Sequence, residues 1–189
     1  MQVAAGAFPP DCYALASSAA LELSAVVDSH YSTGFTTVIV RGHTVQIPDR
    51  LHFRGKRDQT LYPSSALEPF VQCLLTRSTD GYERHAALRT ILPLNTSWSI
   101  PFVLLLAGEY VVEIIDDIVS SLSLLDPVAY GALVRENAYL MSLLEVRATS
   151  YWDCYYRHSF ADRHQYPGIK LLHQLGQWAR QGLRAWSAA

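Results

Sequence analysis

Val111-Val112-Glu113-Ile114-Ile115-Asp116-Asp117-Ile118-Val119-Ser120-Ser121-Leu122 is the stretch on which the fold class turns. Apolar residues at 111, 114, 115, 118 and 122 return at intervals of three and four, the spacing of one helix face, and the pattern holds for about three turns. This is the clearest amphipathic helix in the chain. It predicts that Ile114, Ile115 and Ile118 face a core.

Working outward, Ile100 to Ala107 is the most apolar run, entered through Ser97 or Ser99 with Pro101 in a first helical turn and closed by Gly108 and Glu109. It falls well short of the roughly 20 residues that cross a bilayer. Asp126-Pro127 supplies an N-cap and a first helical residue, a long helix is expected over Ala138 to His158, and Pro167 starts a terminal helix reaching Trp186. Upstream, Ser65 with Glu68 and Asp80 with Glu83 are capping-box patterns ahead of apolar runs. Phe8-Pro9-Pro10-Asp11 opens a first helix, capped by Asp11, with Leu15, Ala19, Leu23, Val26 and Val27 inward and an end near Asp28. Only between Thr36 and Ile47 does the period drop to two, with Arg41-Gly42 between the halves, which reads as a hairpin. Two strands alone are barely stable in water, so a helix must cover one face.

The 189 residues are 50% hydrophobic and 17% charged, enough for one compact core. The expectation is a mainly α protein: a helical bundle or short helix-pair stack with one small β-hairpin near residues 36–53. It is read as a single domain over 1–189, with a helix plus hairpin in 1–63 and a helical body in 64–189. The pairs 65–77 with 80–92 and 98–107 with 110–122 resemble the helix pairs of HEAT-like repeat proteins. Asp80-Gly81-Tyr82-Glu83-Arg84-His85-Ala86-Ala87-Leu88 looks like the start of a repeat's second helix. That resemblance covers about 65–122 and implies a binding surface; it transfers no active-site residue.

Fifteen Lys and Arg against seventeen Asp and Glu leave a net charge of -2, which does not invite nucleic acid or an anionic membrane. Cys12, Cys73 and Cys154 are an odd, dispersed set that suits a reducing compartment. The first basic residue is Arg41, so the chain is taken to start at Met1 without a secretory leader, in the cytoplasm.

No motif demands a particular chemistry. Seven histidines include no HExxH and no zinc spacing, so neither metal nor cofactor is expected. Cys154 and His158, four residues apart, lack the third, orienting group of a nucleophile and base pair. The chain therefore reads as a binding protein rather than an enzyme, though an enzyme of unrecognised type remains an alternative.

Two surfaces are candidates for binding. Glu109, Glu113, Asp116 and Asp117 fall on one face, opposite the isoleucines, and no basic residue lies between Arg89 and Arg135, so this region is expected to be acidic. Tyr151 to His158 concentrates four aromatics; a wheel at about 100° per residue groups Trp152, Asp153 and Tyr156 on a mixed face and turns Tyr151, Cys154 and Tyr155 toward the leucines. Together these acids and aromatics predict a protein-binding surface for a basic partner, in its most concrete form an immunity- or antitoxin-like neutraliser covering a toxin's basic active site. The alternative is a nucleic-acid-binding or nucleic-acid-modifying helical repeat protein using Arg41, Arg50, Arg54, Lys56 and Arg57, although charge protecting an exposed hairpin edge accounts for that run better.

Overall fold

Ala5, Ala7 and Phe8 are buried at the start of a computed structural model that describes residues 5–28, 34–54 and 66–187. Phe8 is held by rings from distant parts of the chain, its centroid 5.2 Å from Phe70 and 5.0 Å from Phe102. Pro10–Cys12 then forms a 3-10 turn leading into α1, Tyr13–Ser24. Asp11 lies within that turn and caps nothing; its carboxylate is 3.6 Å from Arg41. The inward face of α1 is built from Ala16, Ala19, Ala20 and Leu23, while Leu15, expected inside, is exposed.

β1 (Phe35–Val40) and β2 (His43–Pro48) pair antiparallel from Phe35 opposite Pro48 to Val40 opposite His43. Arg41 and Gly42 both have positive φ, 52° and 77°, as a two-residue turn needs if it is to match the twist of its strands. Val38, Val40, Val45 and Ile47 enter the core. Polar groups from elsewhere in the chain meet the hairpin's open backbone groups. At Ile39 the side-chain amide of Asn137 accepts the backbone N–H at 2.8 Å and donates to the backbone carbonyl at 2.7 Å, closing both open groups of an edge residue. On the other strand the Gln46 N–H donates to Gly6 O at 2.9 Å.

The helical body follows. α2 (Glu68–Leu75) and α3 (Gly81–Ile91) pack together, as do α4 (Ile100–Leu106) and α5 (Val112–Ser120). Ser65 lies outside the described residues. Asp80 caps α3 by accepting the Tyr82 N–H at 2.9 Å. Glu83 accepts the Ser78 hydroxyl, whose oxygen accepts the Asp80 N–H at 3.1 Å, so the box closes through a third residue. Every residue of α4 is buried, which explains a run so apolar. α5 buries Ile114, Ile115 and Ile118, as its period requires. α6 (Pro127–Glu136) is capped by Asp126, whose side chain accepts from Val128 and Ala129. α7 (Ala138–Tyr151) does not continue as an α-helix to His158: Trp152–Tyr156 is a π-helical turn. The terminal helix α8 (Pro167–Ser187) packs on α5, α6 and α7. Among the described residues the architecture is eight α-helices with one hairpin, and no helix is long and apolar enough to cross a membrane.

Helices α6 and α8 approach closely at Gly131 of α6, where an added Cβ would sit 2.8 Å from the Trp178 carbonyl oxygen and 2.9 Å from its carbon. Both atoms are backbone and cannot swing aside. Gly131→Ala should therefore lose about 1–3 kcal/mol despite the better helix propensity of alanine. Gly176→Ala in α8, where the nearest atom is the movable end of Arg180 at 3.4 Å, should be neutral or stabilising. Urea denaturation of the two variants checks the contrast.

Candidate functional site

The acids expected on one solvent face divide into three environments. Glu109 precedes α5 in the turn after α4 and is 3% exposed, so it belongs to the interior and not to an acidic surface. Arg50 Nη2 donates to its two carboxylate oxygens at 2.7 and 2.8 Å, and Arg84 Nη2 lies 3.4 Å from Oε2. Asp117 is half-buried and accepts from Arg89 Nε at 2.7 Å, with His85 Nε2 also at 2.7 Å. The Arg89 hydrogen bond, aided by His85, holds its carboxyl below the usual range against partial desolvation. Asp126 is committed to the α6 cap. Of the four acids expected on one face, Glu113 and Asp116 remain exposed. Partial burial, followed by repulsion from Glu113 and Asp117, raises the Asp116 pKa, while Lys170 opposes the rise.

The aromatic segment is also rearranged. Leu140, Leu144, Ala148, Trp152 and Tyr156 follow one another at intervals of four, and the π turn keeps the last two against the body of the protein. Trp152 Nε1 donates to Phe160 O at 2.8 Å, and Arg157 stands over its ring at 5.3 Å while pairing with the exposed Asp153. The Tyr156 hydroxyl donates to Tyr110 O at 2.6 Å and accepts the Val112 N–H at 3.4 Å, while the ring stacks on Tyr166. Burial is the main cause of its raised pKa. Trp152 and Tyr156 therefore anchor the end of α7. Cys154 and Tyr155, which the regular wheel turned inward, are exposed instead.

What reaches solvent is a row of tyrosines that the site prediction omitted. Tyr110 is 50% and Tyr155 66% exposed. Their rings are linked through Tyr151, with centroids 6.1 Å from Tyr110 and 6.3 Å from Tyr155. Glu113 and Asp116 are close enough to act electrostatically on Tyr156, so this row adjoins the two exposed acids. A polar hydroxyl on a rigid apolar ring suits a surface that is wet when free and buried when bound.

The basic stretch is dispersed into ion pairs. Arg41 faces Asp11 at 3.6 Å, Arg50 holds Glu109, and Arg54 lies 3.8 Å from Asp28. Lys56 and Arg57 lie outside the described residues. Two further arginines escaped notice in the sequence. Arg77 donates from Nε to Pro48 O at 3.0 Å and from Nη2 to Asp49 O at 2.7 Å; Arg84 donates from Nη1 to Ser78 O at 2.9 Å and Thr79 O at 3.1 Å. Arg84 stands in line with Ala87, Leu88 and Ile91 on the inward stripe of α3, and a cation on an apolar stripe is the signal that could have revealed it. Among the described residues no three His, Cys, Asp or Glu side chains are placed to hold a metal, and Cys12, Cys73 and Cys154 are free. No family model matches the chain, and no curated protein or solved structure matches it.

Proposed function

We propose that this chain is a non-catalytic binding protein, an immunity- or antitoxin-like neutraliser whose contact surface is the tyrosine row Tyr110, Tyr151 and Tyr155 with Glu113 and Asp116 beside it. The observation that carries the reading is the exposure of Tyr110 and Tyr155, linked through Tyr151 at the anchored end of α7, near the exposed carboxylates Glu113 and Asp116 of α5. Aromatic rings on a rigid frame lose little side-chain entropy on burial, and adjacent carboxylates steer a basic protein toward them. The cation facing Asp116 is Lys170, so the attraction is local to the Glu113 side rather than spread over the whole region. The packing of α2 with α3 and of α4 with α5 is compatible with a scaffold for such a surface. Three free thiols, with Cys73 in the core, favour a cytoplasmic setting. The nucleic-acid alternative loses support because Arg41, Arg50 and Arg54 each have a carboxylate partner.

Affinity capture from the source cell with wild-type protein, a Glu113→Lys/Asp116→Lys variant and Tyr155→Ala tests the reading. A basic protein retained by the wild type should be lost from both folded variants. In stopped-flow measurements on that protein, the charge reversal should slow association and reduce its salt dependence. Tyr155→Ala should speed dissociation by a factor worth about 2 kcal/mol. Equal capture by all three proteins would place the interface elsewhere.

A further inference from the structure

Arg50, Arg77 and Arg84 converge where the exit of β2, the α2–α3 turn and the α4–α5 turn meet, and the guanidinium groups of Arg77 and Arg84 are not fully used. Arg84 is 1% and Arg77 4% exposed. Arg77 Nη1, Arg84 Nε and Arg84 Nη2 are buried nitrogens with no hydrogen-bond acceptor, although Glu109 lies within ion-pair range of the last. A buried donor left without an acceptor is costly, and a charged one more so. Charge points the same way. Among the described residues the charged groups acting on Arg77 are the cations Arg50 and Arg84 and the carboxylates Glu109 and Asp49, so with Arg77 itself three positive charges face two negative ones there. Burial, then repulsion from Arg50, pushes the Arg77 pKa down to about 10, which still leaves it charged at neutral pH. Asp49 is also engaged elsewhere, accepting the Thr36 hydroxyl at 2.6 Å.

We propose that the Arg50–Arg77–Arg84 cluster binds a small inorganic oxyanion of the phosphate class, which meets the free N–H groups of Arg77 and Arg84. Guanidinium groups offer several fixed donors and suit a ligand with several acceptor oxygens better than a spherical ion. The way in is at Arg50, whose side chain is 32% exposed while those of Arg84 and Glu109 are 1% and 2% exposed. The entering anion competes with Glu109 for Arg50, so affinity is set by how far that pair opens. The site is separate from the tyrosine row, and its existence does not depend on the neutraliser reading.

The experiment is a titration of the full-length protein with inorganic phosphate against sodium chloride at matched ionic strength, followed by thermal melts and calorimetry. Phosphate should give a saturable rise in melting temperature that chloride does not. Arg77→Lys, which keeps the charge but loses the free Nη1 donor, should weaken phosphate binding about tenfold to a hundredfold. Should that variant not fold, the arginine Nε–H resonances of the wild type give the answer directly: Arg84 Nε–H should shift on adding phosphate, whereas those of the exposed arginines should not. A 5′-mononucleotide run in parallel should be inert; stabilisation by it would assign the cluster to a phosphate monoester and overturn the free-ion proposal. An equal shift with chloride, an equal affinity in Arg77→Lys, or an unmoved Arg84 resonance would each overturn the site.

Discussion

Replacing Glu109 by Gln should lower the folding stability by about 3–5 kcal/mol, the range for removing one partner of a buried ion pair and stranding the other. The substitution keeps the shape of the side chain, so no cavity is made and the loss reports charge alone. Arg84 would then lie inside the protein with no carboxylate of the described residues in ion-pair range, and Arg50 would lose the carboxylate it now contacts at 2.7 and 2.8 Å. Urea denaturation at neutral pH measures the effect. If Glu109→Gln does not fold, the double variant Glu109→Gln/Arg84→Met supplies the test. Removing the stranded cation as well should recover a large part of the loss, because deleting both members of a buried pair is far milder than deleting one. A Glu109→Gln protein within about 1 kcal/mol of wild type would mean that water screens the pair and that the Arg50–Glu109–Arg84 contacts do not tie the exit of β2 to the helices.

That tie is also where sequence reasoning ran out. Local signals were legible. Asp80 and Asp126 cap the helices that follow them, Gly42 shares the positive-φ turn with Arg41, and α5 buries the three isoleucines its period selects. Each depends on residues a few positions apart. The pairing of Arg50 with Glu109 spans 59 positions, and no periodicity reports a contact made only when two turns and a strand exit meet. Glu109 therefore looked like part of an acidic helix face, although it sits before the helix begins. The aromatic segment failed for a different reason. A wheel at 100° per residue assumes α geometry throughout, and the π turn at Trp152–Tyr156 holds more residues per turn. Trp152 and Tyr156 stay with the stripe set by Leu144 and Ala148, and Tyr155 is turned out. The misreading thus exchanged anchoring residues for the exposed ring that offers a binding surface.

The two faces of α5 should respond to substitution in opposite ways, and this contrast tests the reading from which the fold was derived. Ile114 is 0% and Ile118 1% exposed, on a helix packed against α3, α4 and α8. Ile114→Ala or Ile118→Ala removes apolar contacts from a site walled by three helices, which cannot all close on the space. The loss should be about 2–5 kcal/mol for either change. On the outer face, Glu113→Gln and Asp116→Asn should each change stability by about 0.5 kcal/mol or less. The sign at Asp116 follows from its raised pKa. A carboxyl that holds its proton more tightly when folded contributes unfavourably while ionised, and that penalty is relieved as pH falls through the raised value. Asp116→Asn should therefore be neutral or slightly stabilising at pH 7, with the advantage over wild type fading in acid. Asp117 runs the other way. Its lowered pKa marks stability that is present above the unfolded value and is lost as pH falls through the folded one, so Asp117→Asn should destabilise at pH 7 and converge on wild type in acid. Denaturation curves at pH 7 and again near pH 3 separate the three classes of position. Equal losses at isoleucines and exposed acids would mean that α5 is buried on every side, leaving Glu113 and Asp116 unable to meet a partner.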